Sequence, residues 1–252
     1  MFLRHIALCC IGSLAGSGVG IAARVTDNAA ALRTEVQIGL CSPLSEVVTK
    51  LRLRDAGPVT TTWLFDDATL SLQRRGLRLR LRMDARTADL TLKIADQDCA
   101  QLPADAIPEG QGKCELDMHG ASIVGAVSLS QPLSRDRADA LVAGRARVQD
   151  ALSPAQSRFL REVVRVDPLP AALLPLGPLA VASRKAANGS YALDITTLPN
   201  GDQFLELTRK VNVDRAESTR NRIEQELARQ GVEACVDQSG QAAFKMRKLL
   251  PR

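Results

Sequence analysis

Between Leu77 and Arg82 the chain reads Leu-Arg-Leu-Arg-Leu-Arg. This two-residue alternation predicts a strand with Leu77, Leu79 and Leu81 on one face and Arg78, Arg80 and Arg82 on the other. Three guanidiniums in a row repel one another and are costly to bury without partners, so their face wants open water or a polyanion. Leu90-Thr91-Leu92-Lys93 repeats the pattern, its leucines sharing one face while Lys93 points to the other. Either strand alone also fits an ordinary amphipathic sheet with its charged face in solvent.

The same reading extends along the chain. Val36, Ile38 and Leu40 alternate with Glu35, Gln37 and Gly39 and predict a strand over Arg33 to Leu40. A helix follows, with Ser42 as N-cap, Pro43 at its first position, and Leu44, Val47, Val48 and Leu51 at i, i+3, i+4 and i+7. Further strands fit Val59 to Phe65, Leu77 to Met83, Asp89 to Ile94 and Lys113 to Met118. The middle reads as helical, Ser134 capping a segment to about Leu152 and Ser153-Pro154-Ala155-Gln156 forming a capping box for the next. Four prolines between Pro168 and Pro178 mark a connector. Strands resume near Leu179 to Lys185, Tyr191 to Thr196 and Gln203 to Val211. A helix over Asp214 to Gln230 follows, with Asp214 and Glu217 as its capping box and Gly231 as its stop, and a short strand, Ala242 to Met246, ends the series. The expectation is an α+β fold: an eight-stranded antiparallel β-barrel with helices packed on its apolar outer face and polar residues lining a lumen.

Composition narrows the use of such a lumen. The chain has 252 residues and 45% hydrophobic content, enough for a real core. Aromatics are only 3% of residues and the net charge is a mild +5, which argues against nucleic-acid binding and fits a localised site for a small, highly charged anion. Met-Phe-Leu-Arg-His and the apolar, small-residue stretch from Ile6 to Ala23 have the layout of a secretory signal peptide, with Gly20 and Ala22 at the −3 and −1 positions. We therefore expect a leader over residues 1–22, a single domain over 31–252, no stable membrane span once the leader is removed, and a periplasmic or secreted location. A membrane anchor is the alternative for the same stretch. Beyond the leader stand Cys41, Cys99, Cys114 and Cys235, and an even count in an exported chain suggests two disulfides. Cys99 and Cys114 flank a Pro- and Gly-containing loop between two predicted strands, which pairs them and leaves Cys41 with Cys235. With no Cys-x-x-Cys spacing, a thiolate metal site is not expected.

Collecting the non-apolar strand faces brings both charge signs together: Glu35 and Gln37; Arg78, Arg80 and Arg82; Lys93; Glu115 and Asp117; Glu206, Thr208 and Lys210; and Lys245. Carboxylates at i and i+2 on one strand face suit a hard cation such as Mg²⁺ or Mn²⁺, while Arg and Lys on neighbouring strands suit phosphate oxygens. A salt-bridged sheet surface has the same composition. His119 stands alone after the acidic strand and reads as a surface residue.

The order of Glu35-Val36-Gln37-Ile38, Phe65-Asp66-Asp67, Gly76 through Arg82, Leu90-Thr91-Leu92-Lys93, Glu115-Leu116-Asp117, Asp194 and Phe204-Leu205-Glu206-Leu207 resembles the CYTH, or triphosphate tunnel metalloenzyme, superfamily. The resemblance implies an eight-stranded tunnel that binds a triphosphate with one or two divalent metals and hydrolyses it, or in one branch cyclises ATP. It implies metal ligation by Glu35, Glu115, Asp117 and Glu206, and phosphate binding by Arg80, Arg82, Lys93, Arg184 and Lys245, to which the strand face adds Arg78. Gln37 stands where the family's second glutamate belongs, Gly39 where its lysine belongs, and Thr208 where another acid is common. The expected function is metal-dependent triphosphate hydrolysis. The alternative is an impaired tunnel that binds phosphate-rich or other polyanions.

Overall fold

In the computed structural model, which describes residues 33–103, 105–166, 168–236 and 246–250, the period-two pattern closes on itself. Among the described residues nine strands run Arg33–Leu40 (β1), Thr60–Asp66 (β2), Leu77–Met83 (β3), Ala88–Ala95 (β4), Gly112–His119 (β5), Ser122–Pro132 (β6), Leu174–Lys185 (β7), Ala192–Thr197 (β8) and Gln203–Asn212 (β9). They form a closed barrel in the order β1-β5-β6-β4-β3-β2-β7-β8-β9. All neighbours are antiparallel except β1 and β5, which run parallel with Glu35 beside Asp117.

Closure gives each strand a dry outer face and a polar inner one. On β3 the leucines Leu77, Leu79 and Leu81 are buried on the outside together with Leu90, Leu92 and Ile94 of β4. They pack beneath the helices Arg135–Val142 (α3 here, after Leu44–Lys50, α1, and Ser71–Arg74, α2) and Pro154–Phe159 (α4) through Ala138, Leu141 and Phe159. A second outer core joins Val36, Ile38, Leu193, Ile195, Leu205 and Leu207 to Val47 of α1 and to Ile223 and Leu227 of Ala216–Gln230 (α5). Fully burying each such aliphatic side chain contributes about 1.5 to 3 kcal/mol, so these two layers dominate the stability of the barrel.

A third cluster lies on the inner side. Leu64 faces the same way as Arg80 across the β2–β3 pair, and it joins Leu70, Leu176, Leu179, Leu198 and Met246, with Val181, Phe204, Leu249 and Leu250 packed against them. These residues gather where β2 and β8 end and β7 and β9 begin, so they fill the lumen at that end. Lys248 of the C-terminal turn pairs with Asp202 in the β8–β9 connection.

Local caps and crossings follow from individual side chains. The buried Asp66 carboxylate accepts from the backbone N–H groups of Asp67 (2.9 Å), Leu72 (3.0 Å) and Gln73 (2.9 Å), turning β2 into α2. Ser134 caps α3 and Ser153 with Gln156 forms the expected capping box. Gly231 ends α5 with φ +63°. At Gly125 of β6 a Cβ would sit 1.9 Å from the Gln97 carbonyl, so only glycine lets the loop carrying Cys99 cross there. Both expected disulfides are formed, Cys99–Cys114 and Cys41–Cys235, and among the described residues no helix is long and apolar enough to cross a membrane.

Several expectations change. The strand count is nine rather than eight because β6 was not recognised, and the barrel is not wholly antiparallel because of the β1–β5 pair. β7 begins at Leu174, five residues before the expected Leu179, within the proline-rich stretch; it bulges where Gly177 and Pro178 face Trp63. The helical middle breaks after Val142 and resumes as a 3₁₀ turn at Val148–Ala151. Asp214 does not cap α5, whose N-cap is Arg215 without a side-chain bond, and Ser42 accepts from Glu233 N–H rather than capping α1. Met246, the last residue of the expected final strand, opens a helical turn. The leader, residues 242–245 and with them Lys245 lie outside the described residues.

Because three backbone donors converge on one buried carboxylate, Asp66→Ala is expected to destabilise the fold by about 1 to 3 kcal/mol. Urea unfolding monitored by circular dichroism checks this; a change under a few tenths would mean the turn holds without it.

Candidate functional site

Strand register assigns each polar residue to the lumen or the exterior. Arg78 lies across from Lys93, Arg80 from Thr91 and Arg82 from Asp89. On β6 the lumen residues are Ser128 and Ser130, the latter 2.9 Å from the Thr91 hydroxyl. Lys113, Glu115, Asp117 and His119 of β5 face the same space, as do Glu35 and Gln37 of β1 and Glu206, Thr208 and Lys210 of β9. Nine of the ten expected site residues are described, and eight of them lie on this inner surface. The ninth, Arg184, does not. It stands opposite Leu193, which is fully buried in the outer core, and its guanidinium donates to the Arg54 carbonyl at 3.0 Å.

The arginines run along the lumen axis about 7 Å apart, two residues of rise per step. Arg82 is exposed at the open end and Arg78 lies deepest, toward the apolar plug. Some lumen-facing surface of Arg78 and Arg80 remains accessible, but protein surrounds both guanidiniums. Desolvation lowers the Arg78 pKa against the opposing pull of Glu206 and Asp117. For Arg80, desolvation followed by the charges of Arg82 and Arg78 brings the pKa to about 10. The Arg80 Nε is buried with no hydrogen-bond partner among the described residues. At neutral pH both arginines therefore remain charged, crowded and poorly compensated.

The carboxylates are differently placed. Asp117, its side chain 8% exposed, is paired with Lys93. Glu115 lies between Lys113 (2.8 Å) and Lys210 (3.2 Å); burial pushes its pKa up, but those two ammonium groups outweigh burial and hold it low. For Lys210 burial pulls downward, and Glu115 and Glu35 raise the pKa on balance. Glu35 accepts from the Gln37 amide at 3.1 Å. Among the described residues no three His, Cys, Asp or Glu side chains form a group that could hold a metal ion. The expected four-carboxylate Mg²⁺ or Mn²⁺ site does not fit the charge pairing, because Asp117 and Glu115 already serve lysines and Glu35 a glutamine.

His119 was missed by sequence reasoning. It follows Asp117 on the same lumen face, half-buried, beside Gln37 of β1. Its i+2 spacing from Asp117 was the available signal. Desolvation lowers its pKa, with Asp117 opposing and Lys93 and Arg78 adding to the effect.

Solved structures with this architecture are known. HpAC1 from Hippeastrum, a candidate adenylyl cyclase with a dominant triphosphatase activity, superposes with a TM-score of 0.53 at 16% identity over 85% of this chain and 94% of its own. A candidate adenylate cyclase from Bacillus halodurans gives 0.53 at 15% identity over 84% and 97%. The chain has the CYTH-type tunnel fold. No protein-family model matches it, and no curated protein does. At these identities the likeness establishes the tunnel fold, and what this tunnel does must come from its own lining. That lining carries a row of three arginines, Arg78, Arg80 and Arg82, and uncharged residues at Gln37, Gly39 and Thr208.

A histidine whose pKa is lowered on folding takes up its proton in the unfolded chain first. Stability is therefore complete above the unfolded value of about 6.5 and falls as pH drops below it. Urea midpoints measured between pH 7 and pH 5, above the carboxylate range, should decline for the native chain and decline less for His119→Asn. Identical slopes would place His119 in free solvent.

Proposed function

We propose that the tunnel binds a short linear polyphosphate, entering at the Arg82 end and lying along Arg78, Arg80 and Arg82 with Lys93 beside them. The observation that carries this reading is the Arg80 guanidinium, enclosed between two like charges with its Nε unpartnered. A phosphate chain supplies closely spaced charges and acceptor oxygens for these donors, and charge-assisted hydrogen bonds to a guanidinium are about twice as strong as neutral ones. Tripolyphosphate is the simplest ligand of this class. The apolar cluster at the far end favours entry of a chain end over threading of a long polymer.

Hydrolysis of the bound anhydride is the second reading. The observation in its favour is the triphosphatase activity of HpAC1, which shares the fold. In this chain Arg78, Arg80 and Lys93 would neutralise charge developing on the departing phosphate, and His119, neutral and beside Asp117, is positioned to accept a proton from water. No metal step is assigned, since the carboxylates do not fit one. Adenylate cyclisation has no support among the described lumen residues, which include no aromatic platform apart from Phe204 in the apolar cluster.

An oxidising, extracytoplasmic setting agrees with two disulfides and with the leader-like first residues, so we assign the protein to the periplasm or the exterior.

Calorimetric titration with tripolyphosphate tests the reading. Native protein should bind one equivalent, and Arg80→Ala should lose about 1.5 to 3 kcal/mol of binding while folding as stably or more so, because like-charge repulsion is relieved. Loss of folding without a change in affinity would make Arg80 a structural residue and contradict the proposal. Phosphate release in the same samples separates binding from turnover.

A further inference from the structure

We infer that the tunnel takes its polyphosphate as the metal-free anion, with lysines fixed in its wall serving in place of a divalent cation. The inference rests on the polyphosphate reading above.

A hard cation needs several carboxylate oxygens free to converge on it, and Mg²⁺ also demands near-octahedral geometry. In this lumen the oxygens of Asp117 and Glu115 are engaged by ammonium groups. Lys93 holds Asp117, and Lys113 and Lys210 hold Glu115 from two sides. Lys210 also feels Glu35, so a single ammonium spans the two acids nearest the open end. Seating a divalent ion would require these ammonium groups to leave, exposing or stranding each partner. Asp117 is the most buried of the acids, and removing one partner of a buried pair leaves an uncompensated charge.

The lysines are not spent by this pairing. An ammonium has three donors, so Lys93 can hold Asp117 and still donate to a phosphate oxygen. It stands directly across the β3–β4 pair from Arg78, placing a guanidinium and an ammonium at the same depth. Lys113 and Lys210 extend the basic lining toward solvent, where their side chains are 53% and 45% exposed. The acids thus act as holders for lysines, and the lysines and arginines meet the anion. A Mg²⁺-complexed polyphosphate offers this basic lining two fewer negative charges, and the oxygens bound to the ion are lost to the lysines and arginines, so it is held less tightly. The divalent ion should therefore compete with the protein for the ligand instead of bridging them.

The test is calorimetric titration of the native chain with tripolyphosphate in EDTA and then at rising free Mg²⁺. The expected result is full affinity in EDTA and progressive weakening, by about tenfold or more, as Mg²⁺ complexes the ligand. Electron paramagnetic resonance of Mn²⁺ added to native protein that has been stripped with EDTA and dialysed free of it should show the same free hexaaqua signal as buffer alone. Binding that appears only with Mg²⁺, or stoichiometric loss of the free Mn²⁺ signal, overturns this inference while leaving the polyphosphate reading intact. Absence of heat in both arms removes the polyphosphate reading itself, and the inference with it. Phosphate release plays no part in either readout.

Discussion

Among the described residues Arg78 and Arg80 have no hydrogen-bonded counter-ion inside the closed barrel, unlike most buried charges, and much of the remaining architecture can be understood from that. Desolvation and mutual repulsion both oppose placing them there. The outer leucines of the same strand hold them in place: Leu77, Leu79 and Leu81 are essentially inaccessible beneath α3 and α4, and a one-residue slip of register would send all three to the lumen and all three arginines into the apolar layer. The large hydrophobic term on one face thus enforces an unfavourable electrostatic arrangement on the other. Such strain marks sites where a ligand completes the electrostatics.

The opposite wall answers a different problem. Acids on β1, β5 and β9 would offset the arginines if the two walls met, but the nearest cations to Asp117 and Glu115 are lysines. Short-range pairing at 2.8 to 3.2 Å for Glu115 outweighs attraction across the lumen, so Arg80 is left without a partner among the described residues. Gln37 and Thr208, uncharged on the same lumen face as Glu35 and Lys210, offer the arginines no counter-charge. The plug formed by Leu64, Leu176, Leu179 and Met246 adds to the imbalance by excluding water from the inner end, where every uncompensated charge counts for more.

How much of this was legible in the sequence differs from strand to strand. β3 and β4 could be read to within a residue because leucine alternates with arginine or lysine and the two faces differ as much as side chains can. β6 escaped although Val127 and Leu129 alternate with Ser128 and Ser130, because that run is only four residues long and is preceded by Gly125 and Ala126, where the crossing loop at Gln97 demands a glycine and the two faces do not contrast. The parallel pairing of β1 with β5 is a tertiary choice without a local signature, and it alone sets Glu35 beside Asp117 and Gln37 beside His119. Arg184 was misjudged by one position of strand phase, since its neighbour Ser183 is the residue that shares the lumen face with Asp194 of the adjacent strand. The inner acids and bases were legible as a set; which acid holds which lysine was not, because pairing depends on register between strands far apart in sequence.

The central claim is that the arginine row is an anion site whose lysines already have their carboxylate partners. A diffraction structure of the protein crystallised with tripolyphosphate and EDTA tests it most directly. The account predicts phosphate oxygens within about 3 Å of the Arg78 and Arg80 guanidiniums and of Lys93 Nζ, with the Lys93–Asp117 pair intact. Tripolyphosphate on the outer surface, or a lumen in which Arg80 remains unpartnered at saturating ligand, would contradict it.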